Sequence, residues 1–136
     1  MEKLYTASVI ATGGRDGHVK SSDGILDIEL RRPKEMGGQG GASNPEQLFA
    51  AAWGACYLGA LGSIADHEGI DASEATVNVQ VSFNEDGKAF ALSAELDIHI
   101  PGLGHDETQR IAEMAHKTCP YSKAVKGNIE VRVSAV

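Results

Sequence analysis

Two cysteines, Cys56 and Cys119, are the most reactive side chains in this 136-residue chain. A thiolate is a nucleophile and a metal ligand, and two thiols can be joined by oxidation. The pair is separated by 63 positions, so there is no Cys-x-x-Cys redox motif and no finger-type metal spacing. The five histidines, His18, His67, His99, His105 and His116, show no ligand spacing either, and no metal site is expected. None of them is tied to a cysteine by sequence, as a Cys-His hydrolase would need. His67 reads as a solvated helix end and His99 as part of a polar strand face. Cys56, in Ala50-Ala51-Ala52-Trp53-Gly54-Ala55-Cys56, reads first as a small buried hydrophobe. Cys119 precedes Pro120 in Thr118-Cys119-Pro120-Tyr121-Ser122. A break in backbone regularity there could present a thiol to a cavity.

The elements that must position these thiols are legible in outline. Leu4 to Thr12, Val19 to Ser21 and Ile25 to Leu30 read as strands, the last two joined by Asp23-Gly24. Arg31 to Asn44, rich in glycine, reads as a surface loop; it lacks the Gly-Lys-Ser/Thr ending of a phosphate cradle. Ser43-Asn44-Pro45-Glu46 offers a capping residue, a proline at the first helical position and a carboxylate three after Ser43. From Gln47 to about Asp66 the side chains are apolar or small on almost every face, which predicts a buried helix. Val77, Val79, Val81 and Phe83 alternate, as do Leu92, Ala94, Leu96, Ile98 and Ile100, with Asp86-Gly87 between them; this predicts an antiparallel hairpin. Asp106 can cap a second helix fading at Cys119, a turn follows over Ser122 to Lys126, and Ile129, Val131 and Val133 form a last strand. Strands in runs rather than singly between helices predict an α+β class with an antiparallel or mixed sheet, in one domain spanning residues 1–136.

Twelve Lys and Arg against 19 Asp and Glu give a net charge of −7. Nucleic acids and anionic membrane surfaces call for the opposite sign, so neither is expected as a partner. No run looks long and apolar enough to span a membrane. The N-terminus lacks a basic stretch followed by an apolar one, so a cytoplasmic location is expected. Cysteines in a reducing compartment are more often buried, metal-bound or redox-active than structural bridges.

Several segments together resemble one family. Ala11-Thr12-Gly13-Gly14-Arg15-Asp16-Gly17, Asn44-Pro45-Glu46-Gln47-Leu48-Phe49-Ala50-Ala51, Ala55-Cys56, Cys119-Pro120-Tyr121-Ser122 and Gly127-Asn128-Ile129 are similar, in this order, to the organic hydroperoxide resistance proteins of the OsmC/Ohr superfamily. The resemblance runs from about Leu4 to the C-terminus. It implies an OsmC/Ohr-like fold, with sheets around long buried helices, and an intertwined homodimer. It also implies a thiol peroxidase: Cys56 attacks an organic, including fatty-acyl, hydroperoxide, and Cys119 resolves the product into a disulfide. Arg15 and Glu46 assist the first thiol. The implied reductant is an external dithiol carried by a lipoylated protein, with no resident cofactor. Trp53-Gly54 and Lys123 to Lys126 depart from the family pattern, and bear on substrate preference more than on chemistry.

That chemistry makes a physical demand. Cys56 lies about ten residues into its helix, so the helix dipole does little for it. Full burial can raise a pKa by about 3–5. A cation about 4 Å away offers roughly 4 kcal/mol at an effective dielectric of about 20, or about 3 in pKa. Arg15, in a glycine-rich bend, is the candidate cation, and Glu46 could hold its guanidinium bidentately. Taken without the resemblance, Arg15 is an exposed turn residue and Glu46 a capping carboxylate. Glu46 and Cys56 lie about 15 Å apart along a straight helix. If both serve one site, Glu46 comes from a partner subunit. Leu48, Phe49 and Trp53 could line a channel for an alkyl tail or simply fill a core. Two further readings remain: a general disulfide oxidoreductase, weakened by the absent Cys-x-x-Cys, and a binding module for apolar ligands with two idle cysteines.

Overall fold

The computed structural model describes residues 1–136, and the chain forms two compact units, Met1–Leu48 and Phe49–Val136. In the first, β1 (Val9–Thr12), β2 (His18–Ser21) and β3 (Asp27–Glu29) make an antiparallel sheet in the order β1-β2-β3. The first strand is shorter than the apolar pattern from Leu4 suggests. Val9 pairs with Ser21, where β2 ends, so no strand lies opposite residues 4–7. Leu4 and Tyr5 are 90% and 80% exposed. After β3, Leu30 bridges Ser43 in parallel, closing the glycine-rich loop, which holds a short 3-10 turn over Lys34–Met36.

The β1–β2 connection is a 3-10 turn over Gly14–Asp16 that carries Arg15. Gly13 and Gly14 have φ of 72° and 61°, the left-handed region that glycine enters without a Cβ penalty. Gly17 is needed for space: a Cβ there would lie 1.7 Å from the Thr12 carbonyl oxygen. Gly17→Ala should therefore force the turn open and lower stability by about 1–3 kcal/mol; a urea midpoint indistinguishable from wild type would contradict this.

Helix α1 (Pro45–His67) starts as expected at Pro45, but Asn44 caps it. With proline at the first helical position, the third is Gln47, whose N–H donates to Asn44 Oδ1 at 2.9 Å. Glu46 is thus not used in a capping box. The helix runs unbroken for 23 residues. Contrary to the sequence reading, it is long and apolar enough to cross a membrane by length and composition, with a mean hydropathy of 1.5 in its most apolar window. It is also not buried all round. Trp53, Tyr57, Leu61 and Ala65 form a buried stripe at four-residue spacing, while Ala51, Ala52, Ala55 and Gly59 are exposed in the single chain.

In the second unit, β4 (Thr76–Asp86) and β5 (Ala89–His99) form the antiparallel hairpin, with Gly87 at φ 64° in its two-residue turn. Helices α2 (His105–Thr118) and α3 (Pro120–Val125) then lead to β6 (Glu130–Ala135), which pairs in parallel with β5. A parallel neighbour requires such a crossover, so the sheet is mixed. The α1 stripe packs with Leu96, Ile98 and Ile100 and with Ile111, Ala112 and Ala115 of α2 in one core. Asp106 does not cap α2. The helix begins two residues earlier than that cap would set, at His105 after Gly104, without a side-chain cap. Gln109 binds β6 instead: its amide donates to the Val133 carbonyl at 3.0 Å and accepts the Ala135 N–H at 2.7 Å.

Candidate active site

Packing of α1 against the second sheet and α2 brings the two cysteines together. Cys56 lies on the flank of the buried stripe and is half-buried, whereas Cys119 is 0% exposed. Both are free thiols, with sulfurs 3.7 Å apart. Cys119 occupies the break between α2 and α3, at φ −58° and ψ 123°. Pro120 enforces this break by excluding helical geometry from the residue before it and then serves as the first residue of α3.

The side chains beside Cys56 are anchored to the segment bearing Cys119. Trp53 Nε1–H donates to Ser122 Oγ at 3.0 Å, and Tyr57 Oη–H donates to the Ala112 carbonyl at 2.6 Å. Phe49 meets Trp53 edge to face at 5.8 Å. Trp53 is fully buried, so it belongs to the core rather than to a channel wall; Phe49 is half-buried against the same core.

Burial pushes the Cys56 thiol above its ordinary value. The Tyr121 backbone N–H pulls the other way, and the adjoining Cys119 thiol adds to the rise. The Tyr57 phenol is pushed up as well, by burial first and then by Cys119. Burial and the Cys119 thiol thus disfavour the Cys56 thiolate, and a nearby positive charge would offset them.

In the first unit, Arg15 Nη1–H donates to Glu46 Oε1 at 2.7 Å and to Oε2 at 3.2 Å. The pair closes within one chain. Both carboxylate oxygens of Glu46 thus accept from the Arg15 guanidinium. The Arg15 turn has a second anchor: Asp16 accepts the Arg32 backbone N–H at 3.0 Å and Arg32 Nε–H at 2.8 Å. These bonds hold the Asp16 carboxyl below its ordinary value. Sequence reasoning gave no role to Asp16, Arg32, Tyr121 or Ser122. Tyr121 and Ser122 lie inside a motif it had singled out, whereas nothing local marks Arg32.

No histidine forms a hydrogen bond to either cysteine. His18 bonds Asp27 and His99 bonds the Val136 carbonyl. No three His, Cys, Asp or Glu side chains cluster as metal ligands would. His116 has a buried Nδ1 with no hydrogen-bond partner, and burial holds its pKa below 6.5. Between that depressed value and 6.5 the unfolded chain binds the extra proton, so stability falls as pH drops through this window. His116→Gln should flatten that loss in urea unfolding between about pH 7 and pH 5; an unchanged slope would count against it.

Two free thiols at contact distance on an α+β scaffold are an arrangement capable of redox chemistry, and similarity to known proteins gives the family. Residues 38–134 match the family model for OsmC-like protein. The organic hydroperoxide resistance protein of Xanthomonas axonopodis pv. citri is 42% identical over 96% of this chain and 94% of its own. A crystal structure of an organic hydroperoxide resistance protein from Legionella pneumophila superposes with a TM-score of 0.91 at 41% identity, covering 98% of each chain. One from Elizabethkingia anophelis gives 0.91 at 44% identity, covering 99% of this chain and 98% of its own. The chain belongs to the OsmC-like family, in its organic hydroperoxide resistance branch.

Proposed function

We propose that this protein detoxifies peroxides as a cysteine-based peroxidase, reducing alkyl and fatty-acyl hydroperoxides to alcohols. The observation that carries this is the pair of free thiols, Cys56 half-buried and Cys119 fully buried, with sulfurs 3.7 Å apart. The family and its relatives' names supply the substrate class. The Cys56 thiolate attacks the outer oxygen of ROOH; the O–O bond breaks, ROH leaves, and Cys56 becomes a sulfenic acid. Cys119 displaces its hydroxyl as water, giving a disulfide. An external dithiol, presented by a lipoylated protein in the cytoplasm, restores both thiols by exchange.

The working unit is a homodimer. Two features of the single chain support it: α1 leaves part of its apolar surface uncovered, and the apolar residues Leu4 and Tyr5 have no partner. Glu46 and Cys56 lie on one unbroken helix, about 15 Å apart along its axis. Because Glu46 holds Arg15 of its own chain, the two travel together. In this reading they serve Cys56 of the partner subunit, forming two composite sites across a two-fold axis.

The test is a mass measurement after one equivalent of cumene hydroperoxide, with the linkage mapped. The expected product has lost two hydrogens per chain and yields a peptide joining Cys56 to Cys119. Recovery of both thiols unreacted would overturn the proposal.

A further inference from the structure

We infer that the buried Trp53–Ser122 hydrogen bond is the positioning device that holds Cys119 against Cys56. It thereby decides whether oxidised Cys56 closes onto its neighbour or is oxidised further; the inference rests on the peroxidase reading above. Trp53 stands three residues before Cys56 on α1, and Ser122 three residues after Cys119 in α3. The indole N–H donates to Ser122 Oγ at 3.0 Å, and the two residues are 0% and 2% exposed. On the other side of Cys56, Tyr57 binds the Ala112 carbonyl of α2, the helix that leads into Cys119. Cys56 therefore sits between two cross-links, both made to the segment that carries its partner.

The sulfurs must close from 3.7 Å to about 2.05 Å for a disulfide. Small changes in the spacing of α1 and α3 therefore act directly on that step. A buried donor such as the Trp53 N–H strongly resists losing its acceptor, which makes the spacing stiff. In closure, the Cys119 sulfur attacks the Cys56 sulfur: the S–S bond forms, the S–O bond breaks, and the departing hydroxide takes the Cys119 proton to leave as water. In the competing step, the Cys56 sulfenate attacks the outer oxygen of a second hydroperoxide. An S–O bond forms, the O–O bond breaks, alcohol leaves, and Cys56 is left as sulfinic acid. Slower closure hands more of the sulfenic acid to the second path.

The test compares Ser122→Ala and Ser122→Thr in the full chain by two readouts. The first is equilibration with reduced and oxidised dithiothreitol, with no peroxide present. Ser122→Ala should shift the equilibrium by about tenfold toward the dithiol, while Ser122→Thr, which keeps the hydroxyl, stays near wild type. The second follows rapid mixing with cumene hydroperoxide. Ser122→Ala should form sulfenic acid at the wild-type rate, close about tenfold more slowly, and accumulate sulfinic acid in excess hydroperoxide. If the alanine variant does not fold, Trp53→Phe removes the same bond from its other end. Unchanged equilibrium and closure would overturn the inference, as would equal slowing of both steps, the mark of a generally loosened site. A wild type that closes in dithiothreitol buffer but ignores hydroperoxide would remove the peroxidase reading, while the equilibrium shift would still establish the positioning role.

Discussion

Cys56→Ser should reduce hydroperoxide consumption to the uncatalysed rate, whereas Cys119→Ser should still consume one equivalent and then stop. The asymmetry follows from the two environments. Cys56 is the half-buried sulfur that an incoming peroxide can reach, and Cys119 is fully enclosed. A serine hydroxyl at its ordinary pKa is a poor nucleophile, so the first variant loses the step that breaks the O–O bond. The second retains that step and halts at sulfenic acid, because no thiol remains within reach. Single-turnover mixing with an alkyl hydroperoxide, followed by trapping with a sulfenic-acid reagent, distinguishes the two. Sulfenic acid found on Cys119 rather than Cys56 would reverse the assignment, and full turnover by Cys119→Ser with a dithiol would remove the need for a resolving thiol.

Arg15→Ala should lower the rate of thiol oxidation at neutral pH roughly a thousandfold, with little effect on folding. The magnitude comes from the charge balance: burial and the adjoining thiol push Cys56 upward, and one guanidinium about 4 Å away offsets about 3 in pKa at an effective dielectric of about 20. The Cys56 titration should shift upward in Arg15→Ala, and activity should reappear at alkaline pH. Glu46→Gln keeps the cation but loosens its orientation, so its effect is smaller. The dimer proposal adds a sharper result. Arg15→Ala and Cys56→Ser homodimers are each inactive, but mixed after dissociation they regain about one quarter of wild-type activity, since half the dimers hold one intact composite site. No regain on mixing would place Arg15 and Cys56 of one chain in the same site.

The short-range features of this protein are readable in its residues. The β4–β5 hairpin follows from period-two alternation and the Asp86-Gly87 signal, and the start of α1 from Asn44-Pro45, because each depends on neighbours a few positions away. The break at Cys119 is similarly local, being set by Pro120. Where the reading missed, the competing choice was nearly equivalent in local terms. Ser43 and Asn44 are both good caps, and only the proline position selects Asn44, leaving Glu46 for Arg15. The stretch from Leu4 has a strand's composition but lacks a partner strand within the chain. The all-round apolarity of α1 signals burial without saying against what, and one chain covers only its Trp53–Ala65 stripe.

The sequence by itself determined most of the elements in outline, the reactive residue types and, through five ordered motifs, the family. Tertiary structure alone decided that two sulfurs 63 positions apart meet at 3.7 Å, that Glu46 engages Arg15 across 31 positions, and that Trp53 and Ser122 join across 69. The physical reason is range. Backbone propensities and caps act over about one helical turn, whereas these contacts depend on how α1 packs on the second sheet and how the β1–β2 turn closes, which no short window of residues encodes.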